Sequence, residues 1–68
     1  MTIGEKIAAY RKTENLTQAA FADKVFSSQQ MINAIEHGIT MPGLELAFRI
    51  AETLGCTVDE LCKEAKEG

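Results

Sequence analysis

Helix punctuation recurs so closely along this chain that no element can run much beyond three turns. Start signals stand at Thr2 with Glu5 three residues on, at Thr17, at Ser28, and at Thr57 with Glu60 three residues on. A hydroxyl before a helix accepts from a free backbone N–H of the first turn, and a Glu three residues later reaches back to the cap, so each pairing marks a helix beginning. Asn15, Gly38 and Gly55 are stop signals, because these residues tolerate the left-handed backbone that closes a helix.

Between those marks the apolar residues fall three and four apart: Ile3, Ile7 and Tyr10; Phe21, Ala22 and Val25; Ile32 and Ile35; Leu44, Ala47, Ile50, Ala51 and Leu54; and Val58, Leu61, Cys62 and Ala65. Leu16 stands where it can staple onto Phe21. No stretch alternates strictly enough for a strand. The pattern predicts an all-α fold of five short helices in a single domain, 1–68, with residues 66–68 fraying. Helices two and three, over about 17–37, are separated by so few residues that they form a helix-turn-helix.

Size and composition narrow the function. Sixty-eight residues form one small core, too little for most catalytic scaffolds with a substrate-sized cleft. His37 is the only histidine, so neither a Ser-His-Asp nor a Cys-His site can be built within one chain, and two cysteines with one histidine are a poor zinc set. Cys56 and Cys62 are read as reduced core fillers. The glycines are dispersed as caps and turns rather than gathered into a phosphate-binding loop. The expectation is no enzyme, no metal, no cofactor and no small-molecule ligand. No apolar run reaches the roughly 20 residues of a membrane span and no export signal opens the chain, so the reading is cytoplasmic without a membrane partner.

Function can be argued from the third helix. At about 100° per residue, Ile32 and Ile35 define its core side, which leaves Gln30, Asn33, Ala34 and His37 opposite, with Gln29 and Met31 at the margins. This face is neutral and rich in amides. Side-chain amides make paired hydrogen bonds to adenine in the major groove, and a recognition helix reads bases mainly with its N-terminal residues. On an isolated helix such amides are more often simply solvated.

The segment Leu16-Thr17-Gln18, followed by Ser28-Gln29-Gln30-Met31-Ile32-Asn33-Ala34-Ile35-Glu36-His37-Gly38, resembles the helix-turn-helix of the Cro and phage-repressor family. Leu44-Glu45-Leu46-Ala47 through Leu54-Gly55, then Val58-Asp59-Glu60-Leu61, is similar to the family's fourth and fifth helices, so the likeness spans nearly the whole chain. The resemblance implies a lambda-repressor-like DNA-binding domain, with the third helix in the major groove of double-stranded DNA and two subunits on a palindromic operator. It implies base reading by Gln29 and Gln30; the helical period adds Asn33 to the same face, and Met31 is expected either to touch a thymine methyl or to form part of a protein contact. Contacts to the DNA backbone are expected from Thr17, Gln18, Ser28, Lys24, His37 and Thr40, with Gln18 also bracing the third helix. Arg11 and Glu36 match a partly buried ion pair joining helix one to helix three.

Two departures stand out. Phe26 occupies a turn position that is usually Gly in the family, and Ser27 replaces a small aliphatic residue, so the Phe26 ring is expected to swing inward and fill that space. Residues 25–43 carry a single charged side chain, Glu36, while residues 44–68 carry three positive and six negative ones. Basic phosphate contacts are therefore sparse, and Lys12, Lys24 and His37 must supply them together with helix N-termini. The acidic fifth helix is expected to lie away from DNA. Met41, ahead of Pro42, is expected to pack within its loop.

Two functions remain open: a dimeric, sequence-specific transcriptional regulator, a repressor in the family's manner, and a protein-interaction module that keeps the fold with weak or no DNA affinity. The net charge of −3 and the Phe26 and Met31 side chains speak for the second. The fifth helix and the loop after Gly38 are the candidate dimer surfaces.

Overall fold

The computed structural model describes residues 1–63, and within them the order is α1 (Ile3–Glu14), α2 (Gln18–Lys24), α3 (Gln29–Glu36), α4 (Leu44–Leu54) and α5 (Val58–Cys62). The readings at Ala65 and of fraying at 66–68 lie outside the described residues. Each start is capped as its residue type dictates. Thr2 and Thr57 form reciprocal boxes with Glu5 and Glu60, Thr17 Oγ1 accepts from Ala20 N–H at 3.0 Å, and Ser28 Oγ accepts from Met31 N–H at 3.1 Å. Gly43 precedes α4 without a side-chain cap.

The ends of α1, α2, α3 and α4 share one device. Leu16, Ser27, Ile39 and Cys56 each donate their backbone N–H to the carbonyl five residues earlier, at 2.8 to 2.9 Å. This closure requires a left-handed residue just before the donor. Asn15 (φ 60°), Gly38 (φ 74°) and Gly55 (φ 81°) fill three of those places, and the fourth is held by Phe26 at φ 57°.

That geometry corrects the expectation for Phe26. A left-handed residue turns its Cβ away from the helix it closes, and the core beneath is already filled by Phe21 and Val25, both fully buried. The ring therefore points outward, 80% exposed, with the Arg49 guanidinium 5.7 Å from its centre.

The core joins Ile3 and Ile7 of α1, Phe21, Ala22 and Val25, Ile32 and Ile35 of α3, Ala47, Ile50 and Ala51 of α4, and Leu61 of α5. Tyr10 meets Phe21 edge-on, with ring centres 5.9 Å apart. α3 packs against α1 and α2, whereas α5 packs against α1 and α4. Leu44, expected in the core stripe, is 69% exposed. A helical side chain leans toward its N-terminus, so at the first position of α4 it points back past the helix end rather than into the core. Met41 is likewise 69% exposed instead of packed in that loop. Cys56 rests half-buried against the core, but Cys62 is exposed, because the adjacent Leu61 takes the one inward position at that level of α5.

Gly4 is not a cap. It lies inside α1, where an added Cβ would meet the Ile35 carbonyl and come within 2.7 Å of Glu36 Cα and 2.9 Å of Glu36 O. Only a residue without a side chain lets α1 cross the end of α3 this closely.

Candidate nucleic-acid interface

Ile32 and Ile35 bury the inner side of α3, which turns Gln29, Gln30, Met31, Asn33 and His37 outward; Ala34, expected on that same face, is half-buried. The exposed edge carries no formal charge unless His37 is protonated. The ring Nδ1 of His37 lies 2.8 Å from the Asn33 carbonyl oxygen, so Nδ1 donates there. The neutral ring then has Nε2 left as an acceptor, and only the protonated ring can donate to a phosphate.

Beneath this edge lies a polar chain that fixes α3 against α1 and α2. Arg11 Nε donates to Glu36 Oε2 at 2.7 Å and Nη2 donates to Oε1 at 3.0 Å, while Nη1 donates to the Leu16 carbonyl at 3.0 Å. The two side chains are 21% and 8% exposed. Burial alone would push the Glu36 carboxyl up, but hydrogen bonds from Arg11 and Gln18, helped by the positive charge of Arg11, outweigh it and hold the group below its ordinary value. The same hydrogen bond raises the Arg11 guanidinium against the lowering effect of burial. Both stay ionised at neutral pH.

Gln18, the first residue of α2, completes the chain. Its Nε2 donates to Glu36 Oε1 and to Asn33 Oδ1, each at 3.1 Å. Both amide hydrogens are thereby used within the protein. Any phosphate contact at this point falls to backbone N–H groups at the start of α2, which the Thr17 cap leaves open.

The other expected backbone contacts are spread around this centre. Ser28 caps α3 beside Gln29 and Gln30, and Lys24 is exposed at the end of α2 with no salt bridge among the described residues. Thr40 does not join the cluster. It lines an apolar cleft of about 230 Å³ with Ile3, Gly4, Ile35, Met41 and Cys62. Among the described residues no group of three potential metal ligands comes together, and no helix is long and apolar enough to cross a membrane.

Three contributors escaped the sequence reading. Gly4 sets the approach of α1 to Glu36. Lys6 donates to the carbonyls of Glu60, Leu61 and Lys63 at 2.6, 2.9 and 2.8 Å, tying α1 to the end of α5. Arg49 spans Glu45, the Val25 carbonyl and the Phe26 ring. A lone Gly in a helical stripe was the only local signal for the first. The other two depend on pairings 54 and 24 residues apart that spacing does not reveal.

A helix-turn-helix family model matches residues 7–61, which include the whole polar chain from Arg11 to Glu36. The chain belongs to the Cro/C1-type helix-turn-helix family. Within this family it is 43% identical over 56 residues to an uncharacterised HTH-type transcriptional regulator of Methanocaldococcus jannaschii, an overlap covering 82% of this chain and 85% of that protein. It is 39% identical over 62 residues to the cryptic phage CTXphi transcriptional repressor RstR of Vibrio cholerae, covering 91% of this chain and 55% of the repressor. The P22 c2 repressor, solved in complex with a synthetic operator, superposes with a TM-score of 0.84 at 33% identity over 93% of this chain and 96% of that one. The five-helix, all-α architecture expected of a Cro/C1-type domain is thus the one observed among the described residues.

Proposed function

We propose that this protein is a sequence-specific, double-stranded DNA-binding transcriptional regulator, a repressor that acts as a homodimer on a palindromic operator in the cytoplasm and has no enzymatic role. The observation that carries this reading is the exposed, uncharged amide edge of α3, fixed from behind by Gln18 and the Arg11–Glu36 pair. Gln29, Gln30, Asn33 and Met31 read base edges. Thr17, Ser28 and the start of α2 at Gln18 meet the DNA backbone, with Lys24 and His37 at its flanks and Thr40 at the far end. The kinship with a phage repressor and with an operator-bound repressor supports the same assignment.

Selection from a random duplex library at low salt tests it. The expected product is a palindrome whose half-sites are centred about 34 Å, one helical turn, apart. With Lys12 and Lys24 as the principal cations of each subunit, the log–log salt slope of the dimer should lie near roughly −3 to −4, at about −0.9 per phosphate neutralised. Sedimentation over a concentration series tests the dimer separately, and a species that stays at 7.4 kDa throughout would remove it. The exposed Phe26, Ile39, Met41 and Phe48 favour a second reading, a protein-interaction module. Absence of any enriched duplex, with retention on an immobilised protein partner, would select that reading instead.

A further inference from the structure

The amides on α3 are not equivalent, and the difference follows from which groups in the underlying chain can donate. A guanidinium has no acceptor and an ionised carboxylate has no hydrogen to give, so the Arg11–Glu36 pair has only one polarity. The Gln18 group that faces Glu36 Oε1 must therefore be its NH2 rather than its carbonyl. The second hydrogen of that same nitrogen points to Asn33, which must answer with Oδ1. The partly buried ion pair thus sets the orientation of an exposed amide two hydrogen bonds away. Asn33 turns its acceptor inward to Gln18 and has its Nδ2 hydrogens left for the outside.

Gln29 and Gln30 make no side-chain hydrogen bond among the described residues, so each can rotate to present donor and acceptor together. That is what the paired contact to adenine N6 and N7 requires. Asn33 is held differently. In the major groove the one purine edge made of two acceptors is that of guanine, O6 and N7.

We infer that Asn33 is a specificity-determining residue that donates to guanine, and that Gln18 is the positioning residue that imposes this choice from the Arg11–Glu36 pair. The inference rests on the DNA-reading function proposed above and deepens it by assigning a base to one residue. It makes α3 a mixed reader, with two free amides in its first turn and one polarised amide a turn later.

The test is selection from the random duplex library with the wild-type chain and with Asn33→Ala, Asn33→Asp and Gln18→Ala. Asn33→Ala identifies the half-site position that depends on residue 33. Wild type should prefer guanine there over adenine by about tenfold, within the range of a good base contact. In Asn33→Asp the carboxylate can still accept from Gln18, but it offers the base acceptors in place of donors. The preferred base should then switch to cytosine, whose N4 amino group donates. Gln18→Ala should release Asn33 and lower the guanine-to-adenine ratio at that position alone, while preferences elsewhere in the half-site hold. Thermal melts followed by circular dichroism establish that each variant is folded.

Adenine or no preference at the position mapped in wild type would overturn the inference and leave the DNA-reading function intact. So would an Asn33→Asp protein that keeps guanine, or a Gln18→Ala protein that weakens every position alike. A wild-type chain that enriches no duplex at all would remove the parent function together with it.

Discussion

The α2–α3 unit and the α4–α5 unit are punctuated alike, yet they are held to α1 by different forces. α3 is fixed by directional bonds: Arg11 and Gln18 converge on the carboxylate of Glu36, and Gly4 lets α1 approach to contact distance. α4 and α5 are held mainly by the burial of Ala47, Ile50, Ala51 and Leu61, with Lys6 as one polar tie from α1. Apolar burial is non-directional and tolerates small shifts, whereas a bidentate ion pair fixes distance and angle. The half that carries the exposed amides of α3 is the half whose position is fixed most tightly. The supporting half needs only to fill space.

The largest expected effect comes from the point where α1 and α3 touch. Gly4→Ala forces a Cβ against backbone atoms of Ile35 and Glu36 that cannot rotate away. Overpacking of this kind costs about 1 to 3 kcal/mol and occasionally more, and backbone neighbours place this site at the upper end. For a domain of this length the melting temperature should fall by about 10 °C or more. A melt unchanged within about 2 °C would mean that the helices slide past one another freely, and the contrast between a fixed and a tolerant half would fail.

Glu36→Gln comes next and acts on both stability and reading. It leaves the Arg11 guanidinium with a neutral partner, and because the pair is only partly buried the loss should be about 2 kcal/mol, below the 3 to 5 of a fully buried pair. The pH dependence has a definite sign. Because the folded carboxyl titrates below its ordinary value of 4.5, its stabilising contribution is complete above that value and is lost as pH falls through the lower, folded one. The stability gap between wild type and Glu36→Gln should therefore be flat at neutral pH and narrow only below about 4.5 in parallel denaturant titrations. A gap that already narrows at neutral pH would overturn the assignment of the dependence to Glu36.

Lys6→Met sharpens the comparison from the other side. A cation on the last carbonyls of a helix is worth about 0.3 to 1 kcal/mol, so hydrogen exchange should quicken in α5 while global stability changes little. Base preferences should be unaltered, because the Lys6 ammonium ties α1 to α5 and makes no hydrogen bond to α3 among the described residues. If Lys6→Met altered the selected sequence, the two halves would be coupled and the separation drawn here would be wrong.

Most of the fold was legible because it is local. A hydroxyl before a helix and a Gly or Asn after it act within a few residues, and three of the four left-handed closures carry such a residue. The Arg11–Glu36 pair and the outward amides were legible through family resemblance and helical period together. What escaped was set by distance in the chain. The carbonyl cradle of Lys6, the crossing at Gly4 and the reach of Arg49 to the Val25 carbonyl each join residues whose adjacency exists only after folding. Leu44 and Cys62 were misplaced because periodicity ranks faces but does not say where along a helix the core ends.

Phe26 gives the smallest effect and the cleanest internal control. Four helix ends close through the same bond, so Asn15, Gly38 and Gly55 show which residue types suit the site that Phe26 fills. Replacing the ring loses its contact with Arg49, worth about 0.5 to 1 kcal/mol at an exposed site, and would mask any relief of backbone strain. Comparing Phe26→Asn with Phe26→Ala removes that difficulty, since both variants lose the ring. Asn visits the left-handed region more readily than Ala, so Phe26→Asn should be the more stable of the two by about 0.5 to 1 kcal/mol in chemical denaturation. Equal stability would mean that the closure after α2 relaxes when the ring is gone. The turn between α2 and α3 would then be held by its aromatic cap on Arg49 rather than by the backbone device shared with the other three helix ends.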